Sequence, residues 1–133
     1  MASPGTEPRW VTQSIALEIH HRQIARYGGS EGLRDPGLLD SGLNRPINLF
    51  LYEGPVPLSR LAASYCFGIS RNHSFVDGNK RAAYVVARVF LLLNGLNIAP
   101  AEDDIVDTML AVANGEMTEV ALAEWFESHV VVS

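Results

Sequence analysis

Asn72-His73-Ser74-Phe75-Val76-Asp77-Gly78-Asn79-Lys80-Arg81 divides two apolar helical stretches. Gly78 and Asn79 favour a turn. From Asn79 to Asn94 the chain is apolar nearly all round, the pattern of a helix buried as the axis of a fold. The stretch therefore reads as a loop running into a helix N-terminus. Backbone N–H groups point outward at such an end, and the helix dipole favours negative charge there. Lys80 and Arg81 sit in the first turn, the wrong end of a helix for cations. Residues that cost stability locally mark a site, and the fitting guest is a phosphate.

Each side chain of the stretch has a chemical use. Histidine titrates near neutrality, so His73 can accept a proton. Asp77 is a hard oxygen ligand beside a phosphate site, which suits Mg²⁺. Gly78 permits close backbone approach, and Asn79 can donate a side-chain hydrogen bond at the helix start. Lys80 and Arg81 can neutralise phosphate oxygens, Lys as a point charge and Arg as a bidentate fork. Phe75 reads as an anchor in the core. Base, metal ligand, anion hole and cations in nine residues are the parts for phosphoryl or nucleotidyl transfer to a hydroxyl.

Outward from this stretch, the chain reads as helices. Leu58 to Asn72 places Leu58, Leu61, Ala62, Tyr65 and Ile69 on one face. Trp10 to Tyr27 predicts a first helix ended by Gly28-Gly29. His20 and His21 in it diverge by about 100° and form no metal pair; both read as surface or half-buried histidines. Asp35 and Pro36 predict the cap and first residue of a short helix that stops at Asn44-Arg45-Pro46. Ile47 to Pro57 reads as an extended apolar flap. Beyond the motif helix, Arg81, Tyr84 and Arg88 share a face that should continue the pocket wall. Glu102 to Asn114 predicts a fifth helix with Ile105, Val106, Met109, Leu110 and Ala113 inward. Its acidic first turn matches the dipole, which explains the DDxxD spacing of Asp103 to Asp107 without a metal. Thr118 caps a last helix with Leu122, Trp125 and Phe126 inward.

The 133 residues fit one domain, residues 10–133, behind a loose tail, residues 1–9. A hydrophobic content of 47% excludes disorder. No apolar run approaches the roughly 20 residues of a membrane span, the start lacks the features of a secretory signal, and Cys66 has no cysteine to pair with. A cytoplasmic protein is expected. The net charge of −5 argues against non-specific nucleic-acid binding. All ten cations lie in residues 1–100 with seven of the fifteen acids, and no Lys or Arg follows Ala101.

His73 to Arg81, HSFVDGNKR, resembles the signature loop of the Fic/Doc family, H-P/x-F-x-D/E/N-G/A-N-G/K-R. Ile19-His20, Gly28-Gly29, Gly32 to Asp35 with Leu38-Leu39, and Phe90-Leu91 with Asn94-Gly95 resemble its Doc branch. The resemblance implies an all-α fold, a compact bundle of about six helices with a short flap or β-hairpin before the motif helix. It implies ATP and Mg²⁺ as cofactors. In that scheme His73 deprotonates the target hydroxyl and Asp77 holds Mg²⁺. Gly78, Asn79 and Lys80 form the anion hole, Arg81 grips phosphate, and the flap at Ile47 to Pro57 aligns the target.

Lys80 stands where adenylylating Fic enzymes have glycine, and Tyr84 where they have a second arginine. The Doc branch shares both departures; its toxins transfer the γ-phosphate of ATP to a threonine of elongation factor Tu and halt translation. The resemblance thus implies a toxin kinase of a toxin–antitoxin pair. Asp77 is the acid of the Fic pattern, where the Doc branch has asparagine, so AMP transfer stands as the alternative. The inhibitory pattern S/T-x-x-x-E-G/N is absent, since Ser3 to Glu7 has the spacing but runs into Pro8. A separate antitoxin protein is the implied partner, with no nucleic acid and no membrane. A non-catalytic helical binding module is the remaining reading, and the intact motif counts against it.

Overall fold

A computed structural model describes residues 7–131, six helices and one minimal sheet. Helix α1 spans Gln13–Tyr27. It starts three residues later than expected because Thr12 caps it, its side chain accepting from the Ile15 N–H. The residues ahead of the cap belong to the core instead. Val11 N–H donates to the buried Tyr65 hydroxyl at 2.9 Å, and Trp10 stacks on Phe90 at 5.8 Å. Arg9 is pinned as well: its N–H donates to Asn94 Oδ1 and its carbonyl accepts from Asn94 Nδ2. The expected loose tail to residue 9 is thus corrected at Arg9; residues 1–6 lie outside the described residues.

Helix α2 spans Pro36–Glu53. Asp35 caps it as expected, accepting from the Leu38 N–H. The helix does not stop at Pro46, and the segment expected as a flap is helical through Glu53. Leu39, Leu43 and Pro46 are buried on one face and the partly buried Phe50 extends it. Continued burial of that stripe offsets the hydrogen bond a mid-helix proline removes.

Helix α3 spans Leu58–Asn72 and packs against α2, α4, α5 and α6. Here α4 spans Asn79–Leu93, α5 Glu102–Ala113 and α6 Glu119–Ser128. The central element is therefore α3 rather than α4. Small residues hide this in the sequence: Ala62, Ala63, Ser64 and Gly68 are buried and let neighbouring helices approach closely. At the α2–α3 crossing a Cβ on Gly68 would stand 3.4 Å from the Gly42 backbone.

Val112 and Met109 turn inward from α5, but Val106 and Leu110 are 53% and 43% exposed, against expectation. Thr118 caps α6, and Leu122 and Phe126 are fully buried, with Trp125 half-buried. The only described strands, β1 (Asn97–Ile98) and β2 (Val130–Val131), pair antiparallel, Asn97 opposite Val131 and Ile98 opposite Val130. They clasp the C-terminal end and are not a hairpin before the motif helix. Among the described residues no helix is long and apolar enough to cross a membrane.

Candidate active site

The motif loop hangs between two left-handed residues. His73 ends α3 at φ 52°, and Gly78 precedes α4 at φ 75°. A non-glycine residue in that region costs about 1–3 kcal/mol unless its surroundings hold it. The Arg34 guanidinium supplies the hold, donating to the His73 carbonyl from Nε at 3.0 Å and from Nη2. The segment around Arg34 clamps the loop along its length. The N–H groups of Arg34 and Asp35 donate to the Ser74 carbonyl at 2.8 and 3.0 Å, and Val76 N–H donates to Gly32 O at 3.0 Å. Leu33 and Phe75 form an antiparallel bridge. Phe75 is buried, as expected of an anchor.

The His73 side chain is exposed and makes no hydrogen bond among the described residues, so it is open to a substrate hydroxyl. Asn79 behaves differently from expectation. Its side chain exchanges two hydrogen bonds with the Phe75 backbone, Nδ2 donating to Phe75 O and Oδ1 accepting from Phe75 N, both at 3.0 Å. What Asn79 leaves for an anion is its backbone N–H. No side chain caps α4, so the N–H groups of its first turn lack a capping partner.

Asp77 is exposed and doubly held. Oδ1 accepts from Gly78 N–H at 2.8 Å and Oδ2 from Ser30 N–H at 3.2 Å. These two bonds, Gly78 first, lower its pKa below the usual carboxylate value, with help from the charges of Arg81 and His20. A Cβ on Gly29, itself at φ 115°, would come within 2.6 Å of Asp77 Oδ2, so the close approach requires glycine. No group of three or more potential metal ligands occurs among the described residues. One ionised carboxylate beside free N–H groups fits Mg²⁺, which takes few protein ligands and completes its shell with substrate phosphates and water.

Beside the first turn of α4 opens a cleft of about 670 Å³. Arg26, Lys80, Arg81 and Arg88 line it, and none of them is in an ion pair among the described residues. The exposed Val106 and Leu110 form its apolar wall with Ile105 and Val85, which explains why they do not turn inward. Tyr84 and Arg88 continue the wall from Arg81, as the sequence predicts. Arg81 is already oriented, with Nη2 on Gly28 O at 3.2 Å and its guanidinium over the Tyr27 ring. His73 and Asp77 lie on the preceding loop and are not part of the cleft lining.

The Fic/DOC family profile matches residues 10–91, from the residues ahead of α1 to the last turns of α4. The chain belongs to the Fic/DOC family. It is 30% identical over 116 residues to the protein kinase doc of Escherichia phage P1, covering 87% of this chain and 91% of that one. It is 39% identical over 74 residues to the toxin Doc of Mycolicibacterium smegmatis, 55% of this chain and 57% of that one. Within the Fic/DOC family these relatives place it with the Doc branch.

Three residues of this Fic/DOC site escape a reading of the motif alone. Arg34 holds the His73 carbonyl, and the guanidiniums of Arg26 and Arg81 each lie 5.4 Å from the centre of the Tyr27 ring. His20 is buried, beyond the surface or half-buried place expected of it, and its ring stacks on Phe75 at 3.8 Å. Its position in the Ala16, Ile19, His20, Ile24 stripe of α1 was the available signal.

Proposed function

We propose that this chain is a Doc-like toxin that phosphorylates a serine or threonine hydroxyl of a protein, with elongation factor Tu as the target and arrest of translation as the outcome. The observation that carries the reading is the pairing of an exposed His73 with a helix N-terminus that no side chain caps and with Lys80 and Arg81, which make no ion pair among the described residues, five to eight residues on. His73 takes the proton of the target hydroxyl as its oxygen attacks the γ-phosphorus of ATP. The bond from that phosphorus to the bridging oxygen breaks, and ADP leaves. The backbone N–H groups of Asn79 and Lys80 receive phosphate oxygens, that of Gly78 would join them once Asp77 Oδ1, which it holds at 2.8 Å, turns to Mg²⁺, and the Lys80 and Arg81 side chains neutralise them. Asp77 holds Mg²⁺, which neutralises phosphate charge when bound. A cytoplasmic setting and restraint by a separate antitoxin complete the proposal.

The relative named a protein kinase supports phosphate over AMP transfer. Asp77, the acid of the Fic pattern, favours AMP transfer as the second reading. Intact-mass spectrometry of purified elongation factor Tu or a bacterial lysate, incubated with the protein, ATP and Mg²⁺, separates the two. A gain of one phosphate is expected, and His73→Ala should reduce its rate by about 10²–10⁴-fold. A gain of one AMP would support the second reading, and no His73-dependent adduct on any protein would overturn both.

A further inference from the structure

The Asp77–Gly78 peptide joins the candidate metal ligand to the candidate anion hole, and its carbonyl is turned to α1. His20 Nε2 lies 2.7 Å from that carbonyl. A carbonyl only accepts, so Nε2 carries the proton. His20 is 4% exposed, and its ring lies nearly parallel to Phe75, at an interplanar angle of 5°. Its Nε2 would also stand 3.6 Å from a Cβ on Gly78, while Ile24, one turn along α1, would stand 3.1 Å from it. The His20–Ile24 face of α1 is thus the floor beneath the turn that opens α4.

No other side chain among the described residues is hydrogen-bonded to the Asp77 carbonyl. The hydrogen bonds of the Gly32–Asp35 segment to the loop go to His73, Ser74 and Val76 and not to the Asp77 carbonyl. A planar trans peptide points its C=O and N–H in opposite directions. Holding the Asp77 oxygen on His20 therefore aims the Gly78 N–H the opposite way, where it meets the Asp77 carboxylate at 2.8 Å. Without the imidazole donor the glycine-flanked peptide could rotate, and both the carboxylate and the first N–H of the anion hole would lose their direction.

We propose that His20 is the positioning residue of the phosphate-binding turn, its Nε2–H fixing the Asp77–Gly78 peptide for anion capture. The inference rests on the phosphate-binding reading of the turn and does not require the transferred group to be known. The side-chain N–H of glutamine can reach where Nε2 of histidine reaches, and that of asparagine falls short. His20→Gln, His20→Asn and His20→Phe are compared in two measurements. The first follows the amide resonances of Gly78, Asn79 and Lys80 during titration with pyrophosphate. The second separates kcat from KM for ATP in the mass assay.

His20→Gln should bind pyrophosphate within a few-fold of wild type, and His20→Asn and His20→Phe at least ten-fold more weakly, at comparable melting temperatures. The KM for ATP should rise in the same order, with the KM for the protein target unchanged. Equal weakening in Gln and Asn, or wild-type binding in Asn or Phe, would overturn the proposal. If Phe fails to fold, the Gln–Asn pair decides alone. If wild type moves these amides with pyrophosphate yet modifies no protein, the transfer reading fails while the role of His20 is still read from the titration.

Discussion

At Asp77 the backbone does the work usually left to a cation. Two N–H groups aim at one exposed carboxylate and hold its pKa below the ordinary value near 4. The sign of the consequence follows. The charged form gains stability in the folded state, so the gain is complete above the unfolded pKa and is lost as pH falls through the lowered folded one. Asp77→Asn keeps the shape but cannot accept equally at both oxygens. Thermal melts should show wild type above Asp77→Asn by a constant margin from about pH 6 to 8, closing below about pH 4. A margin unchanged into strong acid would mean that the two bonds add no charge-dependent stability. The same carboxylate stays ionised across the neutral range, so its protonation would not limit the proposed Mg²⁺ binding there.

Helices cross where side chains are small, and the α2–α3 pair shows it. A Cβ on Gly68 would lie 3.0 Å from Arg45 Cδ and 3.4 Å from the Gly42 Cα. The backbone contact is an ordinary packing distance, so only the Arg45 stem must shift by a few tenths of an ångström. That stem is tied at its far end to Glu119, so Gly68→Ala should forfeit the roughly 1 kcal/mol that alanine's helix propensity offers and leave denaturant unfolding within about 1 kcal/mol of wild type. A larger loss would mean that the helices are forced apart, and a gain of the full propensity that Arg45 yields freely. Elements like this also mark where the sequence was readable. The motif loop could be read because its chemistry is contiguous, from His73 to Arg81. Helix ends set by side-chain caps at Asp35 and Thr118 could be read too. Pro46 misleads because a local rule for proline competes with a burial stripe, Leu39, Leu43, Pro46 and Phe50, that only tertiary packing completes. The centrality of α3 is masked by small residues with little hydropathy. His20 and Arg34 act on backbone carbonyls 57 and 39 residues away, and no local pattern encodes such a partner.

Across the whole molecule, charge is separated rather than balanced. The chain carries −5, yet the cleft gathers four cations around one acid, Glu102. Two of the eight acids beyond residue 100 are used elsewhere: Asp104 receives Trp125 Nε1 and His129, and Glu119 pairs with Arg45. The local field in the cleft is therefore opposite in sign to the net charge and should draw polyanions despite it. ATP affinity should fall as salt rises from about 0.05 to 0.5 M, because mobile ions screen exposed charge. Arg88→Ala should weaken ATP several-fold and flatten that dependence in calorimetric titration. An affinity indifferent to salt would place the nucleotide outside this cleft.

The cleft also has a chronology. Its cationic side comes from α1 and α4, while its apolar wall, Val85 aside, comes from α5 as Ile105, Val106 and Leu110. A nascent chain that has emerged only through α4 holds every motif residue but not the wall that faces Lys80 and Arg81 across the cleft. The site can therefore close only late in synthesis, and a chain cut short before α5 would carry the signature without the chamber.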